Sequence, residues 1–478
     1  MKKIKLGLAP TRRFCFSVED AHKYKKLVEE KLREWNVDFI NIDSINQEGL
    51  LIGGDDSKKA ADLFKKENVD AIFSPHVNFG TEEVVSRMAK AVSKPFLLWG
   101  PRDEKPSEAG VRLRDTQCGL FATSNTLRKY QVPFTYIINS RIESELFERG
   151  FKNFMRSANV VKNFMGTRIG QISTRPANFY TVIVNEQELL SKWGIEIVPI
   201  TLLQVVNTMK SLIKTDKRVK EEVGEIKNRI KVNSEVNDES LAKIAALKIF
   251  MLDWAKAENL SAIAIKCHDD LPDETGIYSC FANGELTGLG IPVACETDIH
   301  GAISSVLLQN SASYETPVFF ADLTIRHPEN NNAELLWHCG NFPHKLCSSE
   351  SSSCFIGGHP IIPPNRPGAA NFELKKGNIT VARFDGMNGE YSLFMGQGKS
   401  TKGPQNFGTY LWFEVPDWKM WEEKLIYGPY VHHVAGIHDN CAAVLYEAAK
   451  YIPGLKPDPA QPTEEEIRAY LRGSDLDE

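Results

Sequence analysis

Over roughly the first 160 residues, short apolar runs of strand length alternate with stretches that repeat apolar residues at helical spacing. The runs Lys3–Ala9, Asp38–Ile42, Ala71–Pro75 and Lys94–Trp99 are separated by Val18–Trp35, Ser57–Glu67 and Glu82–Val92. That alternation predicts a parallel, doubly wound sheet. Ser17 stands where a helix N-cap belongs, with Asp20 in the first turn. A second α/β pattern opens near Gly166 with GTRIGQIS and continues through a helix at Glu186–Trp193. A polar, amphipathic helical segment follows from Gln204 to Asn259, broken at Asn237–Glu239, and then a buried strand at Ser261–Lys266.

Beyond His338 the texture changes. Ile379–Arg383, Tyr391–Gly396 and Thr409–Val415 are short strands among Gly, Pro and Asn turns, as in an antiparallel sheet or small barrel. A turn then leads through His432-His433 into a helix, and from Pro457 the chain reads as a Pro-rich acidic tail with one short amphipathic helix. The fold class expected is α/β, with two N-terminal doubly wound α/β domains followed by a β-rich, barrel-like C-terminal domain. The expected divisions are 1–163, 164–320 and 321–478.

Composition narrows the function classes. A net charge of −5 with 25% charged and 42% hydrophobic residues points to neither nucleic acid nor an anionic membrane. No apolar run has membrane-spanning length, and MKKIKLGLAP lacks the apolar core of a signal peptide, so a cytoplasmic protein is expected. Nine cysteines without framework spacing, several inside apolar runs, read as reduced thiols; with no CxxC, a structural zinc site has little support. No GxGxxG follows the first strand, which argues against a dinucleotide fold.

The chemistry concentrates in residues 291–340. The runs Ile291–Cys295 and Val318–Ala321 each end on a carboxylate, Glu296 and Asp322, with a helical stretch His300–Gln309 between them and His338 in WHCG further on. Ligands of parallel α/β sheets bind beyond the carboxyl ends of strands, where both acids are expected. The bland alternative is two strand-end caps and a core histidine. His432-His433, just ahead of a helix, adds imidazoles whose protonation the helix dipole would disfavour. Two carboxylates with one or two imidazoles suit manganese, or else magnesium, cobalt or iron, better than structural zinc.

ACETD, the carboxylate in FFADL, HCG and GPYVHHVAG together resemble the L-fucose and L-arabinose isomerase family. The resemblance implies a metal-dependent aldose–ketose isomerase that moves a proton between C1 and C2 of an open-chain sugar through a cis-enediol. It makes Glu296 and Asp322 both metal ligands and the proton-transfer pair, has His433 complete the coordination with His338 close by as a further candidate ligand, and leaves His432 as a candidate substrate contact. It also implies a homo-oligomer, hexameric or trimer-based, in which the N-terminal domain of one subunit closes over its neighbour's site. Arg12 and Arg13 after the first strand and Arg175 after the first strand of the second unit suit sugar hydroxyls, or an anionic sulfonate or phosphate. Gln171, Trp99, Asn388 and Trp412 are further candidates for the pocket wall. The rival readings are a metal-dependent aldolase, epimerase or lyase, and a sugar-binding protein without turnover.

Overall fold

The computed structural model describes residues 4–349, 351 and 354–476. The chain forms two compact units: Met1–Lys162 with Tyr446–Ile452 and Glu465–Glu478, and Asn163–Leu445 with Pro453–Glu464.

The first unit holds the expected parallel sheet. Its strands are Lys5–Leu8 (β1), Asp38–Ile40 (β2), Ala71–Pro75 (β3), Phe96–Trp99 (β4) and Thr135–Tyr136 (β5), in the order β2-β1-β3-β4-β5 and all parallel. The first helix starts at Val18, where Ser17 Oγ accepts the Asp20 N–H at 3.1 Å. Phe64, Ile72, Met88, Phe96 and Leu98 fill one core layer. Trp99 packs its ring 4.2 Å from that of Phe147 and donates Nε1–H to Ser140 Oγ, so it is a core residue rather than a pocket wall.

The second unit begins with Arg168–Ile172 (β6) and Glu196–Ile200 (β7). Lys231–Val232 (β8) pairs elsewhere, and Ala262–Ile265 (β9) and Val293–Ala294 (β10) complete a parallel sheet in the order β10-β9-β6-β7. The polar segment 204–259 forms three helices, Leu202–Thr215, Lys217–Arg229 and Asp238–Ala257. Asn237, read in the sequence as part of a break, caps the third by accepting the Ser240 N–H at 2.9 Å.

The remaining strands are Phe319–Arg326 (β11), Ala333–His338 (β12), Phe355–Gly358 (β13), Pro367–Glu373 (β14), Asn378–Met387 (β15), Glu390–Ser400 (β16), Thr409–Glu414 (β17), His433–Ile437 (β18) and Leu455–Pro459 (β19). Six of them, β16-β15-β18-β11-β12-β17, are antiparallel neighbours, and the β16–β17 pairing closes them into a barrel. Two residues join β15 to β16. Asn388 and Gly389 both take positive φ, as a tight primed hairpin requires, and this accounts for Asn388 without a pocket role.

Three sequence expectations change here. Asp322 was expected at the carboxyl end of a parallel strand; it is instead the fourth residue of β11, a barrel stave, because the apolar run continues past it as an alternating antiparallel strand. His433 does not sit at a helix N-terminus but opens β18, with the next helix starting only at Ala442, so the dipole argument falls away. Residues from Pro457 on are not a free tail at their start, since β19 pairs in parallel with β16.

Candidate active site

Glu296 owes its position to an unusual turn. It follows β10 by two residues, and both Glu296 and Thr297 adopt left-handed backbone, φ 53° and 57°. Each costs of order 1–3 kcal/mol for a residue with a Cβ and persists only where the surroundings hold it. Here they do: Thr297 N–H donates to Ile265 O at 3.1 Å, Thr297 Oγ1 to Thr174 O at 3.2 Å, and Asp298 N–H to Cys295 O at 3.0 Å. Asp298 then caps the buried helix Ile299–Asn310 by accepting the Gly301 N–H at 2.8 Å.

The barrel supplies the other groups. Asp322 on β11 and His433 on β18 are directly opposed in the strand register. His338 is the last residue of β12, the stave on the other side of β11. The chain turns sharply after it at Gly340, φ 130°, where a Cβ would meet Ala370 N at 2.5 Å; only glycine fits the third position of HCG. Phe320 packs its ring against both imidazoles, 5.7 Å from His338 and 5.1 Å from His433.

His433 Nε2 lies 3.9 Å from Glu296 Oε2 and 3.5 Å from Asp322 Oδ1, and His338 Nε2 lies 3.7 Å from Glu296 Oε2. These separations exceed a hydrogen bond. Glu296 Oε2, Asp322 Oδ1 and His338 Nε2 are buried without a hydrogen-bond partner. Buried polar atoms are normally paired, so the carboxylate oxygens left facing His433 Nε2 across such gaps fit a cation between them.

The two imidazoles differ in tautomer. His433 Nδ1–H donates to Asp298 Oδ2 at 2.8 Å, which leaves the Nε2 lone pair directed at the carboxylates, the arrangement that orients a metal-bound histidine. His338 Nδ1 instead accepts the Cys339 N–H at 2.9 Å, which sends its proton to Nε2, facing Glu296. His432 is exposed, its ring 4.3 Å from that of His433.

Charge is balanced tightly. Burial alone would push the Glu296 carboxyl up, but His338 and His433, helped by a 3.3 Å hydrogen bond from Cys267 Sγ to Oε1, pull it down to about 2. Burial opposes protonation of His433, yet Asp298, Asp322 and Glu296 outweigh it and raise its pKa.

Beneath the site lies a group that the sequence reading missed. Arg383 on β15, fully buried, pairs with Asp298 and with Asp385, whose Oδ2 is 2.8 Å from Nε; Asp385 Oδ1 accepts from His300 Nδ1 at 2.9 Å. A signal was present: Arg383 and Asp385 are two charges on one face of an otherwise apolar strand, and Asp298 precedes a helical run as an N-cap should.

The chain also has recognisable relatives among known proteins. Residues 7–165 match the family model for the N-terminal domain of fucose/sulfoquinovose isomerases. Over 407 residues the chain is 28% identical to the sulfoquinovose isomerases of Priestia aryabhattai and Priestia megaterium, covering 83% of this chain and 86% of each relative. It is also 28% identical over 341 residues to that of Alkalicoccus urumqiensis, with 71% and 74% covered. The chain is thus similar to fucose/sulfoquinovose isomerases over most of its length.

The candidate arginines fare differently. Arg12 is paired through two nitrogens with Glu48, at 2.7 and 2.6 Å, and Arg13 pairs with Glu82 while covering the Phe79 ring. Both guanidinium charges are thus answered within the first unit. Among the described residues Arg175 donates to the carbonyls of Pro176 and Ala177, both at 3.0 Å, and lies over the Tyr180 ring. Its loop touches the site turn directly, through the bond between Thr297 and Thr174. Gln171 on β6 donates to Ser173 O at 3.0 Å, and Trp412 is buried with Leu335 and Tyr410, donating Nε1–H to Pro404 O. No described helix is long and apolar enough to cross a membrane.

Proposed function

We propose that this protein is an aldose–ketose isomerase that depends on a divalent cation, most simply Mn²⁺, and acts on an open-chain sugar through a cis-enediol. The observation that carries the reading is the set of unpartnered buried donor atoms on Glu296 and Asp322 with His433 Nε2 between them. Glu296, Asp322 and His433 would hold the ion, which supplies Lewis-acid polarisation of adjacent sugar oxygens. The proton between C1 and C2 is carried by the chain's own carboxylates, one acting as base and the other returning the proton. His338, with its proton on Nε2, faces Glu296 and can neutralise charge developing there. His433 keeps its lone pair forward because Asp298 holds Nδ1–H.

The relatives are sulfoquinovose isomerases, and we extend the proposal to a sulfonated aldohexose. Arg175 is the candidate for its sulfonate, since among the described residues it has no carboxylate partner and its loop adjoins the Glu296 turn.

A panel of neutral and sulfonated aldoses and ketoses incubated in D₂O with Mn²⁺ tests reaction class and substrate together. Deuterium at C1 or C2 with carbon number conserved is expected; carbon–carbon cleavage or inversion without carbonyl movement would replace the isomerase by an aldolase or an epimerase. Chelation should abolish turnover and added Mn²⁺ restore it, whereas full activity in metal-free protein rules the cation out. Arg175→Met should raise KM for a sulfonated sugar by about tenfold, the effect of ~1.4 kcal/mol, and leave KM for a neutral one nearly unchanged.

A further inference from the structure

A second set of donor atoms in the described residues plays no part in the site above. His344, Cys347 and Cys354 each offer one ligand atom, all within 4.8 Å of one another. The two sulfurs are 3.2 Å apart, and both thiols are half-buried against the main core of the second unit. Local structure holds each foot of this cluster. A single helical turn, His344–Leu346, ends at Cys347, which bridges to Leu374, and the His344 ring stands edge-on to Phe372. Cys354 immediately precedes β13, which is hydrogen-bonded on both sides, to β14 and to β8.

We propose that His344, Cys347 and Cys354 bind a zinc-class cation at a site separate from the carboxylate–imidazole group. Two thiolates and an imidazole form the Cys₂His donor set of tetrahedral zinc with an open fourth position, and hard ions such as Mn²⁺ and Mg²⁺ disfavour sulfur. Zn–S bonds of about 2.3 Å put two tetrahedral sulfurs roughly 3.7 Å apart. The thiols therefore have only to separate by a few tenths of an ångström. A disulfide between the same residues would require closure to about 2.05 Å and would leave the converging imidazole without a purpose. Partial exposure gives the ion a way in and leaves room for water as fourth ligand. The spacing H-x₂-C-x₆-C contains no CxxC, which is why the sequence alone gave no sign of it.

The test uses the full-length, reduced, metal-free protein and Co²⁺ as the probe. The thiolate-to-cobalt charge-transfer band in the near ultraviolet should grow to saturation at one equivalent and be abolished by Zn²⁺. It should be lost in Cys347→Ser and Cys354→Ser, and lost or strongly reduced in His344→Ala, with far-ultraviolet circular dichroism unchanged. Cys267→Ser and Cys295→Ser, which alter the thiols beside Glu296, should keep the band. The proposal is overturned if reduced protein with titratable thiols gives no band, or if the band follows Cys267 or Cys295 instead. It is equally overturned if Cys347 and Cys354 return to a disulfide in air and the reduced pair takes up no Zn²⁺.

Discussion

At saturating Mn²⁺, Glu296→Gln and Asp322→Asn should each lower kcat by at least ~10²-fold, the lower end of what a positioned acid or base contributes. The amides nearly preserve shape. Gln at 296 can still accept the Cys267 thiol at one oxygen, and Asn at 322 stays on its stave opposite His433. Each keeps one weak oxygen donor for a cation, so metal affinity should fall without vanishing. Proton transfer should suffer far more, because a neutral amide neither takes nor returns the sugar C–H proton. His433→Asn should behave differently, recovering part of its activity as Mn²⁺ is raised, because in our proposal it only holds the ion. Steady-state kinetics across a Mn²⁺ titration separates the two. If high metal restores the carboxamide variants as well as His433→Asn, both acids are ligands alone and another group moves the proton.

The second large effect is on stability. Arg383→Met should cost about 3–5 kcal/mol, the range seen when one partner of a buried ion network is removed. Arg383 is fully buried and answers both Asp298 and Asp385, so its loss strands two buried carboxylates. Burial alone would push these carboxyls up; Arg383, with His433 beside Asp298 and His300 beside Asp385, holds both below the usual range. The stabilisation is therefore complete above the ordinary carboxylate pKa of about 4 and disappears only as pH falls through the lower folded values. In Arg383→Met burial prevails, and the variant's deficit should be greater at pH 7 than at pH 4. Urea denaturation at the two pH values measures this, and a loss under 1 kcal/mol at pH 7 would show that the network contributes little. Arg383→Lys should recover only part, since an ammonium cannot reproduce paired contacts to two carboxylates.

The local patterns were legible where one period dominated. The strand Ala71–Pro75 and the helices Glu82–Val92 and Glu186–Trp193 fall at the residues expected, because alternation and capping are encoded within a few positions. A barrel-like C-terminal domain was expected and is found, but which strands close it was not legible, since closure depends on β16 meeting β17, a long-range pairing that no local signal specifies. Glu296 does follow a short parallel strand, but Asp322 and His433 were assigned to the wrong kind of element. What brings them together is antiparallel register, and a carboxylate inside a strand looks in sequence like one at its end. Asp298 and Arg383 escaped notice for a related reason: an N-cap acid and a charge in an apolar strand do not point to each other until the chain between them is folded.

The two halves of the proposed site differ in freedom to move. Asp322 and His433 are rungs of one ladder in a barrel without free edges in its wall, so they cannot part unless staves unzip. Glu296 hangs outside that ladder, on the strained turn tied down by Thr297 and Asp298. The site thus joins one half built into a strand ladder to another held by a single strained turn. For the cation we propose, residence time should therefore depend on the 295–298 turn more than on the strand-borne ligands.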